Sequence, residues 1–177
     1  MHASATKLTW KTFDPQKDDS KNLHKKMGNY LICLKNHIEF PACKIAPLFT
    51  TFEGKKVIYT GIASKCLLTR DYKQHFTKCN AGQSTLRKSL GVIMGFKQIP
   101  RDKVMNNKTK FELHNEMLLS DWMINNLILY YAENLNYSLD EDKLILQFNP
   151  PLNLKKNYSS ENIAFRKYLS SLRNDKS

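Results

Sequence analysis

Apolar positions follow two rhythms along this chain, and the switch between them marks its elements. Residues 29–36 and 56–60 are short runs rich in β-branched and aromatic side chains, and they predict two strands. The connection between them carries Pro41, Pro47 and Glu53-Gly54, so it reads as a loop. Leu127-Ile128-Leu129-Tyr130-Tyr131 predicts a third strand. Elsewhere the spacing is helical. Leu67 to Phe76 mixes apolar and basic residues and predicts a helix. Leu86, Leu90 and Ile93 share a face behind a candidate N-cap, Ser84, with Arg87 and Lys88 expected to point elsewhere. Ser120 is a candidate cap for a helix through Asp121-Trp122-Met123. Ser138-Leu139-Asp140-Glu141 matches a capping box, and Pro150-Pro151 ends the helix it opens. Phe165, Leu169 and Leu172 define a last amphipathic helix after Ser160-Glu161. Interleaved strands and helices place the chain in the α/β or α+β class with a small sheet. Residues 1–27 are polar and lack periodicity, and are expected to be a loose arm or an edge addition.

Composition adds a partner. The 177 residues fit one domain with a sizeable core. Lys plus Arg number 28 against 16 acids, a formal charge of +12, which favours a polyanion: nucleic acid or an anionic membrane surface. No run approaches the roughly 18–20 apolar residues of a membrane span. Met1 to Lys7 lacks the apolar core of a signal peptide. Cys33, Cys43, Cys66 and Cys79 show no C-x-x-C spacing, so reduced thiols in a cytoplasmic protein are expected. A zinc site built from Cys66, His75 and Cys79 would match no common ligand spacing.

Two features exceed what a core requires. Gly28-Asn29-Tyr30 and Tyr59-Thr60-Gly61 put a tyrosine and a glycine, in mirrored order, on two strands already apolar enough to be buried. Buried hydroxyls need partners or a task. The second feature is Glu141. At about 100° per residue it falls near the middle of the face carrying Leu144, Ile145 and Phe148, while Asp140 and Asp142 fall to either side and are expected in solvent. A carboxylate aimed at a core is costly unless paired or bound to a metal, the alternative being a simple capping partner for Ser138.

These motifs resemble those of the GIY-YIG nuclease superfamily. Gly28-Asn29-Tyr30 and Tyr59-Thr60-Gly61 stand for its paired motifs, Arg70 and His75 for the Arg and His of its next helix, and Glu141-Asp142-Lys143-Leu144-Ile145 for its Glu segment. Pro150-Pro151-Leu152-Asn153 follows, with Asn153 twelve residues after Glu141. The resemblance spans residues 28–153. Asn29 replaces the usual Ile, and Arg70 comes one position later than usual.

The resemblance implies a small, mostly antiparallel three-stranded central sheet flanked by helices. It implies a nuclease domain over 28–157 with an insertion around 77–120, and a helix at 158–177 packed on the same domain. The expected activity is metal-dependent endonucleolytic hydrolysis of DNA. Glu141 would hold a single Mg²⁺ or Mn²⁺. Tyr30 would act as general base or orient the water, and Tyr59 would complete the network around the phosphate. Arg70 would hold non-bridging oxygens, His75 would relay a proton or bind phosphate, and Asn153 would brace the site. Arg87, Lys88, Arg101 and Lys103 are expected along the nucleic-acid backbone, making binding salt-dependent. DNA is the expected partner, with RNA the alternative and no membrane, for a monomer or transient homodimer. The rival expectations are a nuclease-like module that binds nucleic acid without cutting it, and a charge-driven structural protein with no site.

Overall fold

The computed structural model describes residues 8–23, 26–67, 75–77, 81–101 and 108–175. Five strands form one antiparallel sheet in the order β1-β7-β2-β4-β3, where β1 is Lys11–Phe13, β2 Gly28–Leu34, β3 Thr51–Phe52, β4 Lys55–Ala63 and β7 Leu127–Glu133. The three strongly apolar runs are the middle of this sheet. The expected three-stranded sheet is enlarged by β1 and β3, whose three and two residues are too short to show a period. Part of the polar arm is thus an edge strand.

Every residue of β2 is buried because the sheet is covered on both faces. On one face Leu31, Cys33, Val57 and Tyr130 pack against Leu144 and Phe148 of α3 (Tyr137–Phe148). Burial pushes the Cys33 thiol up to about 12. On the other face Tyr30, Ile32 and Leu34 join the main core. That core draws on α1 (Thr85–Ile93), α2 (Leu113–Asn126) and α4 (Ile163–Asn174). Ile99–Pro100 (β5) and Thr109–Lys110 (β6) pair as a separate two-stranded ribbon.

Two helix starts differ from expectation for the same reason. Helix α2 begins at Leu113, and Ser120 lies inside it with its hydroxyl donating back to the Glu116 carbonyl. A serine in mid-helix can bond backward as well as cap forward, so its type alone does not locate a terminus. Helix α3 begins at Tyr137 with Asn136 as N-cap and no side-chain cap. Ser138 is already in its first turn, so the capping box with Glu141 does not form. Asn29 of β2 serves this helix instead. Its amide donates to the Tyr137 carbonyl at 2.9 Å and accepts from Asn134 at 2.8 Å. Asn134 also donates to Asp140 at 2.8 Å, and Lys143 reaches the same carboxylate at 2.7 Å. Asp140 is therefore buried rather than solvated. Lys143 first, then Asn134, holds its carboxyl below the usual range. An Ile at position 29 could make none of these bonds.

Candidate active site

The two tyrosine–glycine motifs meet through strand register. Tyr30 lies opposite Gly61, and Tyr59 lies opposite Ile32. The glycine is the space the tyrosine needs: a Cβ on Gly61 would come within 2.6 Å of Tyr30 Cζ. Gly28 similarly lets β2 approach the Ala132 carbonyl of β7. Tyr30 is fully buried, and its hydroxyl hydrogen-bonds His75 Nε2 at 2.8 Å. His75, also fully buried, bonds Ser84 Oγ at 2.7 Å through Nδ1. Ser84 is the N-cap of α1, its hydroxyl accepting from the Arg87 amide at 3.1 Å. Tyr59 completes a cluster of three rings, with centroids 6.2 Å from Tyr30 and 6.0 Å from His75. Residues 75–77 form a π-helical turn, a backbone irregularity frequent at functional sites.

Strand β4 has a partly open edge, because β3 pairs only with Lys55 and Lys56. Beyond that pair the returning chain covers it. Leu152 donates to the Ile58 carbonyl at 3.1 Å. Asn153 bonds both sides of one peptide position, accepting from the Thr60 amide and donating to its carbonyl, each at 2.9 Å. The Asn153 amide thus imitates a missing strand partner next to Tyr59.

A cavity of about 350 Å³ opens beside this junction. Its wall includes Tyr59, Glu141, Asn153, Lys156 and, from the last turn of α4, Arg173. Glu141 accepts from Lys156 Nζ at 3.0 Å, and the same ammonium pairs with Asp142 at 2.9 Å. Asp142 and then Glu141 push the Lys156 ammonium above its ordinary range. Tyr30 and His75 are not on this wall. The tyrosines divide accordingly, with Tyr59 at the cavity and Tyr30 sealed behind it.

The model of the GIY-YIG catalytic domain matches residues 28–175, nearly the whole chain. This chain belongs to the GIY-YIG catalytic-domain family. None of the curated proteins and none of the solved structures compared with it matches. The GIY-YIG domain is a nuclease-type fold, and its nucleases generally use a divalent metal.

Of the residues expected from the GIY-YIG resemblance, Tyr59, Glu141 and Asn153 share the cavity wall, while Tyr30 and His75 form the buried pair behind it. Arg70 and Lys103 lie outside the described residues, as does Cys79. Lys88 and Arg101 are half-buried. Arg87 corrects the expectation. Its guanidinium is fully buried and bonded to Glu116 at 2.7 and 3.2 Å, Ser120 at 2.9 Å, and the His75 carbonyl at 3.0 Å. It cannot lie along a nucleic-acid backbone. The helical period assigned charge to the outside and missed a carboxylate partner 29 residues away. Lys156 and Arg173 were not anticipated at the site. Nothing in local spacing marks them, although both are basic residues close to expected elements.

The donor set tests the metal. Among the described residues no cluster of three or more His, Cys, Asp or Glu exists. One carboxylate, Glu141, faces the cavity and already attracts a cation, Lys156. A hard divalent ion held by one carboxylate, with water and phosphate oxygens completing its shell, fits this arrangement.

Proposed function

We propose that the protein is a divalent-metal-dependent endonuclease that hydrolyses phosphodiester bonds in DNA, with the β4–α3–α4 cavity as its active site. The observation that supports this reading is the meeting of Tyr59, Glu141 and Asn153 on one cavity wall, from three separate segments. Glu141 would hold Mg²⁺ or Mn²⁺, which when bound would supply Lewis-acid stabilisation of the phosphate. Tyr59 orients the attacking water and accepts a hydrogen bond from it. Tyr30 and His75, bonded to each other at 2.8 Å, give the ring of Tyr59 a rigid backing. Asn153 keeps β4 straight at Thr60, which fixes the direction of the Tyr59 side chain. The net charge of +12 draws the duplex in, so binding weakens steeply with salt.

The test is cleavage of supercoiled plasmid in Mg²⁺ or Mn²⁺ with an EDTA control. Tyr59→Phe should slow cleavage by about 10²–10⁴-fold. Cutting that survives EDTA, or a Tyr59→Phe protein as fast as wild type, would refute the mechanism. Salt-sensitive binding without cutting would favour the binding-module reading instead.

A further inference from the structure

Most cations described near the site are committed to carboxylates: Arg87 to Glu116, Lys143 to Asp140, and Lys156 to Glu141 and Asp142. Arg173 is different. It is half-buried at the end of α4, and among the described residues no carboxylate pairs with it. Burial pushes its guanidinium below the ordinary range, partly countered by nearby Tyr59. One end of the fork is anchored: Nη1 donates to Ser89 Oγ at 3.2 Å, and Ser89 is fully buried on α1. The backbone is anchored too. Gln98 Nε2 donates to the carbonyls of Leu172, Arg173 and Asp175 at 3.1, 3.3 and 2.7 Å. Two independent side chains therefore fix this helix end with Arg173 on the cavity wall.

A basic residue in a last helical turn complements the helix dipole, which accounts for its charge. It does not account for a half-buried guanidinium held from behind by a buried serine, on the wall that also carries Tyr59 and Glu141. Partial burial of a cation without a counter-ion is unfavourable, and an arriving phosphate relieves it through charge-assisted, bidentate hydrogen bonds. We propose that Arg173 is a catalytic residue of the same cavity, gripping the non-bridging oxygens of a backbone phosphate beside Tyr59, with Ser89 as its positioning residue. The proposal rests on the nuclease reading of this cavity and makes α4 part of the active site.

Two measurements separate the proposal from that reading. The first is binding of a short DNA duplex by fluorescence anisotropy across a salt series, in the Glu141→Gln background so that no cutting intervenes. Arg173→Met should reduce the slope of log K against log salt by about one, while Arg173→Lys, which keeps the charge, should retain it. The second is plasmid cleavage by the otherwise wild-type protein. Arg173→Met should slow it by about 10²-fold, as for removal of one oxyanion donor, and Arg173→Lys by less. Circular dichroism of each variant checks that α4 still docks. Should Arg173→Met unfold, Arg173→Gln, which keeps a donor for Ser89, replaces it: a slope lowered by about one supports the contact, and an unchanged slope overturns it. Unchanged slope and rate in Arg173→Met overturn it as well. A wild-type protein that binds but never cuts refutes the nuclease reading, while the slope still tests Arg173. A protein that does not bind DNA refutes both.

Discussion

Arg87 with Glu116 of α2, and Arg173 of α4 with its neighbours around Glu141, are held from different residues of α1, Arg87 and Ser89, and use the same side-chain chemistry in opposite ways. Around Arg87 everything is closed. The guanidinium is spent on Glu116, Ser120 and the His75 carbonyl, and the second Glu116 oxygen accepts from the Ala81 and Phe111 amides at 2.7 and 3.2 Å. This knot ties three segments together and holds the backbone of His75, so it acts on the site only by holding position. Around Glu141 the charges are half-solvated and incompletely matched. Lys156 shares two carboxylates, and Arg173 has a serine where a carboxylate could stand. A saturated ion network makes rigid structure, whereas an unsaturated one on a cavity wall is ready for a charged ligand.

The contrast is sharpest if each region is damaged separately. Glu141→Gln should lower plasmid cleavage by about 10³-fold or more, equivalent to about 4 kcal/mol of barrier, with little change in melting temperature. Glu116→Ala should do the reverse in stability. It leaves a guanidinium buried and unpaired, at a cost of about 3–5 kcal/mol in chemical denaturation. Similar unfolding midpoints for the two variants would erase the distinction between the regions. Gly61→Ala probes the wall between them. The new methyl meets the Tyr30 ring, so about 1–3 kcal/mol of stability should be lost, together with the Tyr30–His75 geometry. Lys156→Met should change stability by less than about 1 kcal/mol, since both partners are partly solvated. It should let cleavage saturate at lower divalent-metal concentration, because Glu141 loses its resident cation. The smallest effect belongs to Asp140. Its folded pKa is depressed, so its contribution is fully present above the unfolded value of about 4 and disappears as pH falls through the folded value. Asp140→Asn should therefore flatten the acid limb of a stability–pH curve measured by urea denaturation.

Legibility in the sequence followed the reach of each interaction. The three apolar strands and the Ser84 cap depend on neighbours within a few residues, and local pattern is enough to find them, whereas the acid of α3 that turns inward is Asp140 and not Glu141, because Asn134 and Lys143 reach it. Strands β1 and β3 are defined only by what they pair with, so they carry no period of their own. The mirrored tyrosines were visible as excess hydroxyls, but not their division of labour. Which ring reaches the cavity is decided by Gly61, His75 and the returning segment at Asn153. Arg87 misled because helical periodicity sorts residues by polarity and is blind to a buried partner on another helix. Arg173 was hidden for the converse reason: a basic residue in a last turn already has a local explanation.

Membership of one wall by residues 59, 141, 153 and 173 also has a consequence for synthesis. β2 must wait for β7 to complete its second ladder, as Tyr30 pairs with Tyr131, so the sheet closes late in translation. The cavity closes later still, when α4 settles on α1. A ribosome stalled between those two events would carry a nearly complete sheet with the cavity missing a side. Helix α4 thus links the two, since the element that carries Arg173 to the cavity also carries Phe165 and Leu169 into the main core.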